Sequence, residues 1–246
     1  MASRVYHRMI SLPLHPDTPH WNFEERTLRR VFDTVCALAG LALLLPVFAI
    51  IVMAIKLDDG GPVLFLQSRV GKGLQKFRLL KFRSMFSNCA KGSLLTAPHD
   101  ARVTRVGRFL RKYKLDELPQ LVNVLKGEMQ LVGVRPQVEG FVDIFRDEYE
   151  ELLQTPPGIT DVASLTFRNE EQFFQGSSNE EQYIAKILPF KLEMSLKYAR
   201  TRTFLSDLEI LFRTLLGFQS RSTAWKNSKS DRAGQFPSEF ISRNST

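Results

Sequence analysis

Thr34–Ile55, TVCALAGLALLLPVFAIIVMAI, carries no charged side chain and is long enough to cross a bilayer as a helix. Pro46 lies near its centre, where it deletes one backbone donor and presses on the preceding turn, so a kink is expected there. Arg26, Arg29 and Arg30 precede the segment and Lys56 follows it. Orientation in a membrane follows the contrast in positive charge between the two ends, and these flanks offer little contrast. Two topologies fit. One is a hairpin that enters and leaves by the same face; the other is a single kinked spanning helix, since proline is tolerated in such helices. These features alone do not choose between them.

The whole chain has 246 residues, enough for one core or for a core plus a membrane element. Its net charge of +8 points to anionic partners: nucleic acid, acidic lipid head groups or phosphorylated substrates. Nineteen Phe against five Tyr and two Trp favour apolar burial over a wet interface. Cys36, inside the hydrophobic segment, and Cys89, far along the chain, make no disulfide framework and suit a reducing compartment. Glu24, Glu25 and the lack of a small-residue cleavage pattern after Ile55 argue against a cleaved signal peptide. The segment is expected to stay in the mature protein.

Residues 1–28, with Pro13, Pro16 and Pro19, read as an irregular surface segment and 29–57 as the membrane element. Asp58-Asp59-Gly60-Gly61-Pro62 is a turn signal. The apolar runs Val63–Leu66 and Phe77–Phe82, parted by Gly71-Lys72-Gly73, predict a hairpin or small sheet. Residues 87–101 read as a loop. Val103, Val106, Phe109, Leu110 and Tyr113 recur at helical spacing, with Arg102, Arg105, Arg108, Arg111 and Lys112 on the remaining face. Residues 118–127 predict a short helix stopped at Gly127, and Glu139–Leu153 another, ended by Pro156-Pro157-Gly158. Residues 180–217 give two amphipathic stretches, broken near Pro189 and Thr203, suited to a core or to a membrane interface. The tail 218–246 is polar and expected to be unstructured. The fold class expected is α+β, mainly helical, with 58–217 as the catalytic unit.

Chemistry centres on Asp116-Glu117, two adjacent carboxylates between a basic helix and Pro119. Consecutive helical side chains diverge by about 100°, so the two acids suit different tasks, one as nucleophile or base and one holding a cation. Acids at a helix start are also favoured by the helix dipole alone. The surrounding Arg69, Lys72, Lys81, Arg83, Arg135 and the 102–114 basic run suit a polyphosphate substrate, a solvated helix face or an acidic lipid surface. No nucleic-acid module, Walker loop or dinucleotide fingerprint is present, and His7, His15, His20 and His99 show no metal-ligand spacing.

These residues carry a resemblance over about Arg29–Thr214. Its blocks include Arg30-Val31-Phe32-Asp33, Pro46, Gly61–Phe65, Gln67–Gly71, Lys81–Met85, Thr104–Arg111, Leu115–Leu121, Asn123–Met129, Leu131–Pro136 and Pro157-Gly158-Ile159-Thr160. The chain resembles the bacterial sugar transferases called monotopic phosphoglycosyl transferases, in their minimal single-domain form. The resemblance implies transfer of a sugar-1-phosphate from a UDP-sugar to polyprenol (undecaprenol) phosphate, releasing UMP, as the first membrane step of a bacterial glycan pathway. It implies Asp116 as the nucleophile of a covalent phosphosugar intermediate, and Glu117 as a ligand of Mg²⁺. Lys81, Arg83, Arg105, Arg108 and Arg135 are carried over as phosphate-site residues, and Pro46 as the kink of a re-entrant helix hairpin. The implied location is the cytoplasmic face of the bacterial inner membrane, without nucleic acid as partner; a homodimer is left open. Three departures stand out: Leu45 where the family usually has Ser, Val134 within Gly133-Val134-Arg135-Pro136, and Asp161-Val162-Ala163-Ser164 in place of Gly-Trp-Ala-Gln. A membrane-anchored nucleic-acid binder and a scaffold for glycan enzymes are the competing classes.

Overall fold

The computed structural model describes residues 23–87, 100–167 and 183–216. The expected surface segment up to residue 22, most of the 87–101 loop and the tail 218–246 lie outside the described residues. Helix α1 runs from Phe23 to Asp59. It therefore starts before the expected boundary at residue 29, because Glu24 and Glu25 form an acidic first turn that the helix dipole favours. Pro46 lies inside α1, and the chain stays helical on both sides of it. One face of α1 is apolar and exposed along its length, including Leu38, Leu43, Leu45, Ile50, Met53 and Leu57.

The other face packs on the rest of the protein. Strands β1 (Leu64–Val70) and β2 (Lys76–Phe82) form the expected antiparallel hairpin, with Leu64 opposite Phe82 and Val70 opposite Lys76. Its turn needs Gly73, whose φ is 62°. Helix α2 (Arg105–Lys112) begins at Thr104, whose side chain accepts the Gly107 N–H at 2.9 Å. A 3₁₀ turn, Leu115–Glu117, leads into α3 (Gln120–Lys126), which ends on the left-handed Gly127 at φ 81°.

A second sheet of two short parallel strands, β3 (Gln130–Val132) and β4 (Gly158–Thr160), follows. Its backbones approach so closely that a Cβ on Gly158 would overlap the Gly133 backbone. The expected helix over Glu139–Leu153 is two helices, α4 (Glu139–Ile144) and α5 (Arg146–Leu152). Phe145 breaks them at φ −120°, ψ 47°, while its side chain stays fully buried. Helix α6 (Val162–Thr166) is capped by Asp161, which accepts the Ser164 N–H at 2.7 Å. A π-helical turn, Tyr183–Ile187, runs into α7 (Leu188–Thr201) with Pro189 in its first turn, and α8 (Phe204–Leu215) follows the break at Arg202-Thr203. Thr203 and Ser206 close a reciprocal cap at the start of α8.

Several buried clusters hold these pieces. Phe141, Phe145, Tyr149, Leu153, Leu188, Leu192 and Leu196 join α4, α5 and α7. Ala37 of α1 meets Leu79, Val124 and Met129, with Phe32 and Cys36 alongside. Further along α1, Ile51 and Ile55 meet Phe82 and Leu110, and Phe48 sits edge-on to Phe82 at 5.3 Å. Gly40 allows α1 near α3: a Cβ there would lie 3.3 Å from Leu121. The membrane-length helix is thus held to one folded unit by both of its halves.

Candidate active site

Asp116 and Glu117 sit on the 3₁₀ turn between α2 and α3, after Lys114 in the left-handed conformation at φ 57°. The two carboxylates meet different surroundings. Glu117 is clamped: Arg135 grips both of its oxygens, with Nη1 3.0 Å from Oε2, and Lys81 Nζ lies 3.3 Å from Oε1. Burial alone would raise the Glu117 pKa, but the Arg135 and Lys81 charges overcome it and hold the carboxyl well below its usual range. Asp116 is in the opposite situation. It is buried, its Oδ1 has no hydrogen-bond partner, and burial followed by the Glu117 charge raises its pKa. Lys81, Arg111 and Lys114 oppose that rise. One acid is fixed as an anion and the other keeps an uncommitted oxygen.

The site's frame comes from Asn123, which is fully buried on α3. Its Oδ1 accepts the Leu80 N–H at 3.0 Å, and its Nδ2 donates to the Arg78 carbonyl at 2.8 Å and to Glu128 at 2.7 Å. The amide thus acts as a strand partner along β2, fixing the strand that carries Lys81. Only its place in a motif block marked Asn123 in the sequence.

The structure brings Lys81, Arg135, Asp116 and Glu117 together. Arg83 is committed elsewhere: it is buried and bonds Asp59 at the end of α1, with Ser87 as a second partner. Arg105 and Arg108 are exposed on α2, and Arg108 makes a 3.5 Å contact with the Val103 carbonyl. Neither has a described contact with the acid pair. Cys89 and the four histidines lie outside the described residues. Among the described residues, no group of three or more His, Cys, Asp or Glu could hold a metal ion.

Glu117, Arg135 and Lys114 line one part of a cavity of about 1060 Å³. Phe32, Cys36, Gly40 and Leu44 of α1 form another wall, and Leu208, Leu211, Phe212 and Leu215 of α8 face it. Thr160, Ser164 and Lys191 add polar groups, the Ser164 hydroxyl being buried without a partner. A clamped anion, two basic side chains and an apolar channel thus share one cavity beside a membrane-length helix.

Family comparison agrees with that description. The family model described as "Bacterial sugar transferase" matches residues 24–221, and the chain belongs to this family. The UDP-glucose:undecaprenyl-phosphate glucose-1-phosphate transferase of Caulobacter vibrioides is 34% identical over 218 residues, covering 87% of this chain and 78% of that protein. The UDP-N-acetylgalactosamine-undecaprenyl-phosphate N-acetylgalactosaminephosphotransferase of Aeromonas hydrophila is 37% identical over 204 residues, 79% of this chain. The chain spans 45% of the length of that relative. A Bacillus subtilis protein named as a putative undecaprenyl-phosphate N-acetylgalactosaminyl 1-phosphate transferase is 45% identical over 122 residues, 49% of this chain and 68% of its own.

Proposed function

We propose that the protein transfers a sugar-1-phosphate from a UDP-sugar to undecaprenol phosphate, through a covalent intermediate on Asp116. The observation that carries this is the contrast within the acid pair: a buried Asp116 oxygen without a partner, beside a Glu117 already neutralised by Arg135 and Lys81. An Asp116 oxygen attacks the sugar-bearing phosphorus of the donor. The bond from that phosphorus to the bridging oxygen breaks, and UMP leaves with the electron pair. An acyl phosphate remains on Asp116. An oxygen of the lipid phosphate then attacks the same phosphorus and releases the Asp116 carboxylate, giving polyprenyl-diphosphate-sugar. Two steps allow one nucleophile to serve two bulky phosphates in turn, and Lys81 and Arg135 offset the charge that builds on UMP.

Mg²⁺ takes one or two carboxylates and completes its shell from substrate phosphates and water; Glu117 would hold it beside the donor phosphates once Arg135 or Lys81 gives up one of its carboxylate oxygens. When bound there, Mg²⁺ would supply neutralising charge on the diphosphate. The apolar cavity between α1 and α8 suits the acceptor's prenyl chain.

The same reading places α1 in the membrane with both ends on the cytoplasmic face. Its support is that α1 contacts one folded unit from Arg30, bonded to the Leu125 carbonyl at 2.8 Å, to Asp58, which accepts the Val106 N–H at 3.1 Å. A helix crossing the bilayer would carry those two ends to opposite faces. Cysteine reporters near Arg26 and near Gly73 should both resist a membrane-impermeant reagent outside intact cells, and labelling of only one would restore a spanning helix.

The reaction is tested by UMP release from a panel of UDP-sugars with undecaprenol phosphate and Mg²⁺. Asp116→Asn should be inactive, and labelled UDP-sugar without acceptor should leave label on the wild-type chain alone. Activity surviving in Asp116→Asn would remove the nucleophile assignment.

A further inference from the structure

Arg69 stands at the end of β1, on the same hairpin face as Gln67 and Lys81: its strand partner is Phe77, Gln67 faces Leu79 and Phe65 faces Lys81. Its guanidinium is held entirely by neutral acceptors. Nη2 and Nε donate to Gln67 Oε1 at 2.8 and 3.2 Å, and Nη1 makes long contacts of 3.4 Å with the Pro136 carbonyl and with Gln137 Oε1. Among the described residues no carboxylate pairs with it. The nearby Glu117 is gripped by Arg135 and Lys81. Arg69 is therefore a partly buried cation beside a second cation, Arg135, without an anion of its own among the described residues.

Such a group is costly to keep. Removing a guanidinium from water without a counter-charge is among the larger penalties a fold can carry. Partial burial, followed by the repulsion from Arg135, draws the Arg69 pKa down to about 10. Hydrophobic residues of similar volume would pack there at lower cost. Around the acid pair five cations, Arg69, Lys81, Arg111, Lys114 and Arg135, face Asp116 and Glu117. The balance is an excess of positive charge waiting for a ligand.

We propose that Arg69, seated by Gln67 and Gln137, is a phosphate-binding residue of this site and shares a phosphate oxyanion with Arg135. Planar guanidinium groups match phosphate oxygens with paired N–H donors, and a fork already fixed by Gln67 loses little freedom on binding. The inference rests on the reading of the site as a phosphoglycosyl transferase. It goes beyond it by adding a residue that compensates for Arg83, whose guanidinium is occupied by Asp59. Phosphate reaches the site from two sources, the donor diphosphate and the lipid monophosphate.

The test uses the full chain in detergent, comparing Arg69→Met and Arg69→Lys with wild type. Melting curves are taken without ligand and against inorganic pyrophosphate and UDP with Mg²⁺. A ligand-binding Arg69 gives Arg69→Met an unliganded Tm equal to or above wild type, and a half-protecting ligand concentration raised at least tenfold. Arg69→Lys should fall between them. An unliganded Tm lowered by more than about 4 °C, roughly 1–2 kcal/mol for a chain of this size, with unchanged protection by both ligands, would make Arg69 a structural strut and overturn the proposal. Single-turnover UMP release without acceptor, and transfer from labelled enzyme to undecaprenol phosphate, separate the sources. A defect in the first assigns Arg69 to the donor, and a defect in the second alone assigns it to the lipid phosphate. Normal rates in both overturn it. A wild-type chain that releases no UMP fails the reading of the reaction, while the melting curves still decide whether Arg69 binds phosphate.

Discussion

Replacing Asn123 with Leu keeps most of the side-chain volume and removes three hydrogen bonds at a fully buried position. The Leu80 N–H and the Arg78 carbonyl lose their partner, and Glu128 loses a donor 2.7 Å away. Each buried group left without a partner costs about 1–3 kcal/mol, and leucine brings no room for water to substitute. Because the three groups are only partly shielded, the lower end of the range applies, about 1 kcal/mol each, and the sum is about 3 kcal/mol. For a chain of this size that corresponds to a fall in Tm of roughly 6–12 °C. The effect should also reach the chemistry, since Asn123 sets the position of β2 and hence of Lys81 on Glu117 at 3.3 Å. A displacement on the order of 1 Å at such a contact costs up to about 100-fold in rate. Differential scanning fluorimetry in detergent measures the first quantity, and UMP release well below the lowered Tm measures the second. A Tm within 2 °C of wild type together with an unchanged kcat/KM would refute the view that Asn123 frames the site. Asn123→Asp separates the contributions, because it keeps the acceptor for Leu80 N–H and removes both donors.

Gly107→Ala should lower Tm by several degrees, because the new Cβ would overlap the Ser84 carbonyl, whereas Gly140→Ala, with nothing within 4 Å, should leave it unchanged or slightly raised. Asp207→Ala should destabilise by about 3–5 kcal/mol, since Arg29, Arg202 and Tyr198 all converge on that carboxylate; limited proteolysis between α7 and α8 and a melting curve report it. Pro46→Ala should raise stability by less than the roughly 3 kcal/mol that proline costs inside a free helix, because both halves of α1 are already pinned; recovery of the full amount in a urea melt would show that they are not.

The elements that carry a strong local signal were readable. Gly71 and Gly73 between two apolar runs place the hairpin, and the spacing of Val106, Leu110 and Tyr113 places α2 within two residues of each end. Strands β3 and β4 were not, since three residues are too few to show alternation and their pairing depends on two glycines far apart in the chain. The break at Phe145 escapes periodicity because Phe141, Phe145 and Tyr149 keep helical spacing through it. Partner choice was the least legible part of the site. Lys81 lies near the end of β2 and Arg83 just past it, yet one meets Glu117 and the other Asp59. Their partners belong to distant elements, and only packing decides between them. Asp58-Asp59 illustrates the same gap: composition reads it as a turn, while the fold uses one acid to cap α2 and the other to bind Arg83.

Those contacts give α1 a second task beyond meeting the membrane. Arg30, in its first turns, donates to the last carbonyls of α3, Val124 and Leu125. Asp58, at its far end, holds the first N–H groups of α2 through Val106. Helices α2 and α3 are the elements immediately before and after the Asp116-Glu117 turn. One hydrophobic helix, continuous through Pro46, therefore grips both neighbours of the acid pair. Any force on α1 from the bilayer would act on that turn through these two polar contacts, since rigid helices transmit displacement to the short segment that joins them. The segment that first reads as an anchor is, on this geometry, also the brace of the site.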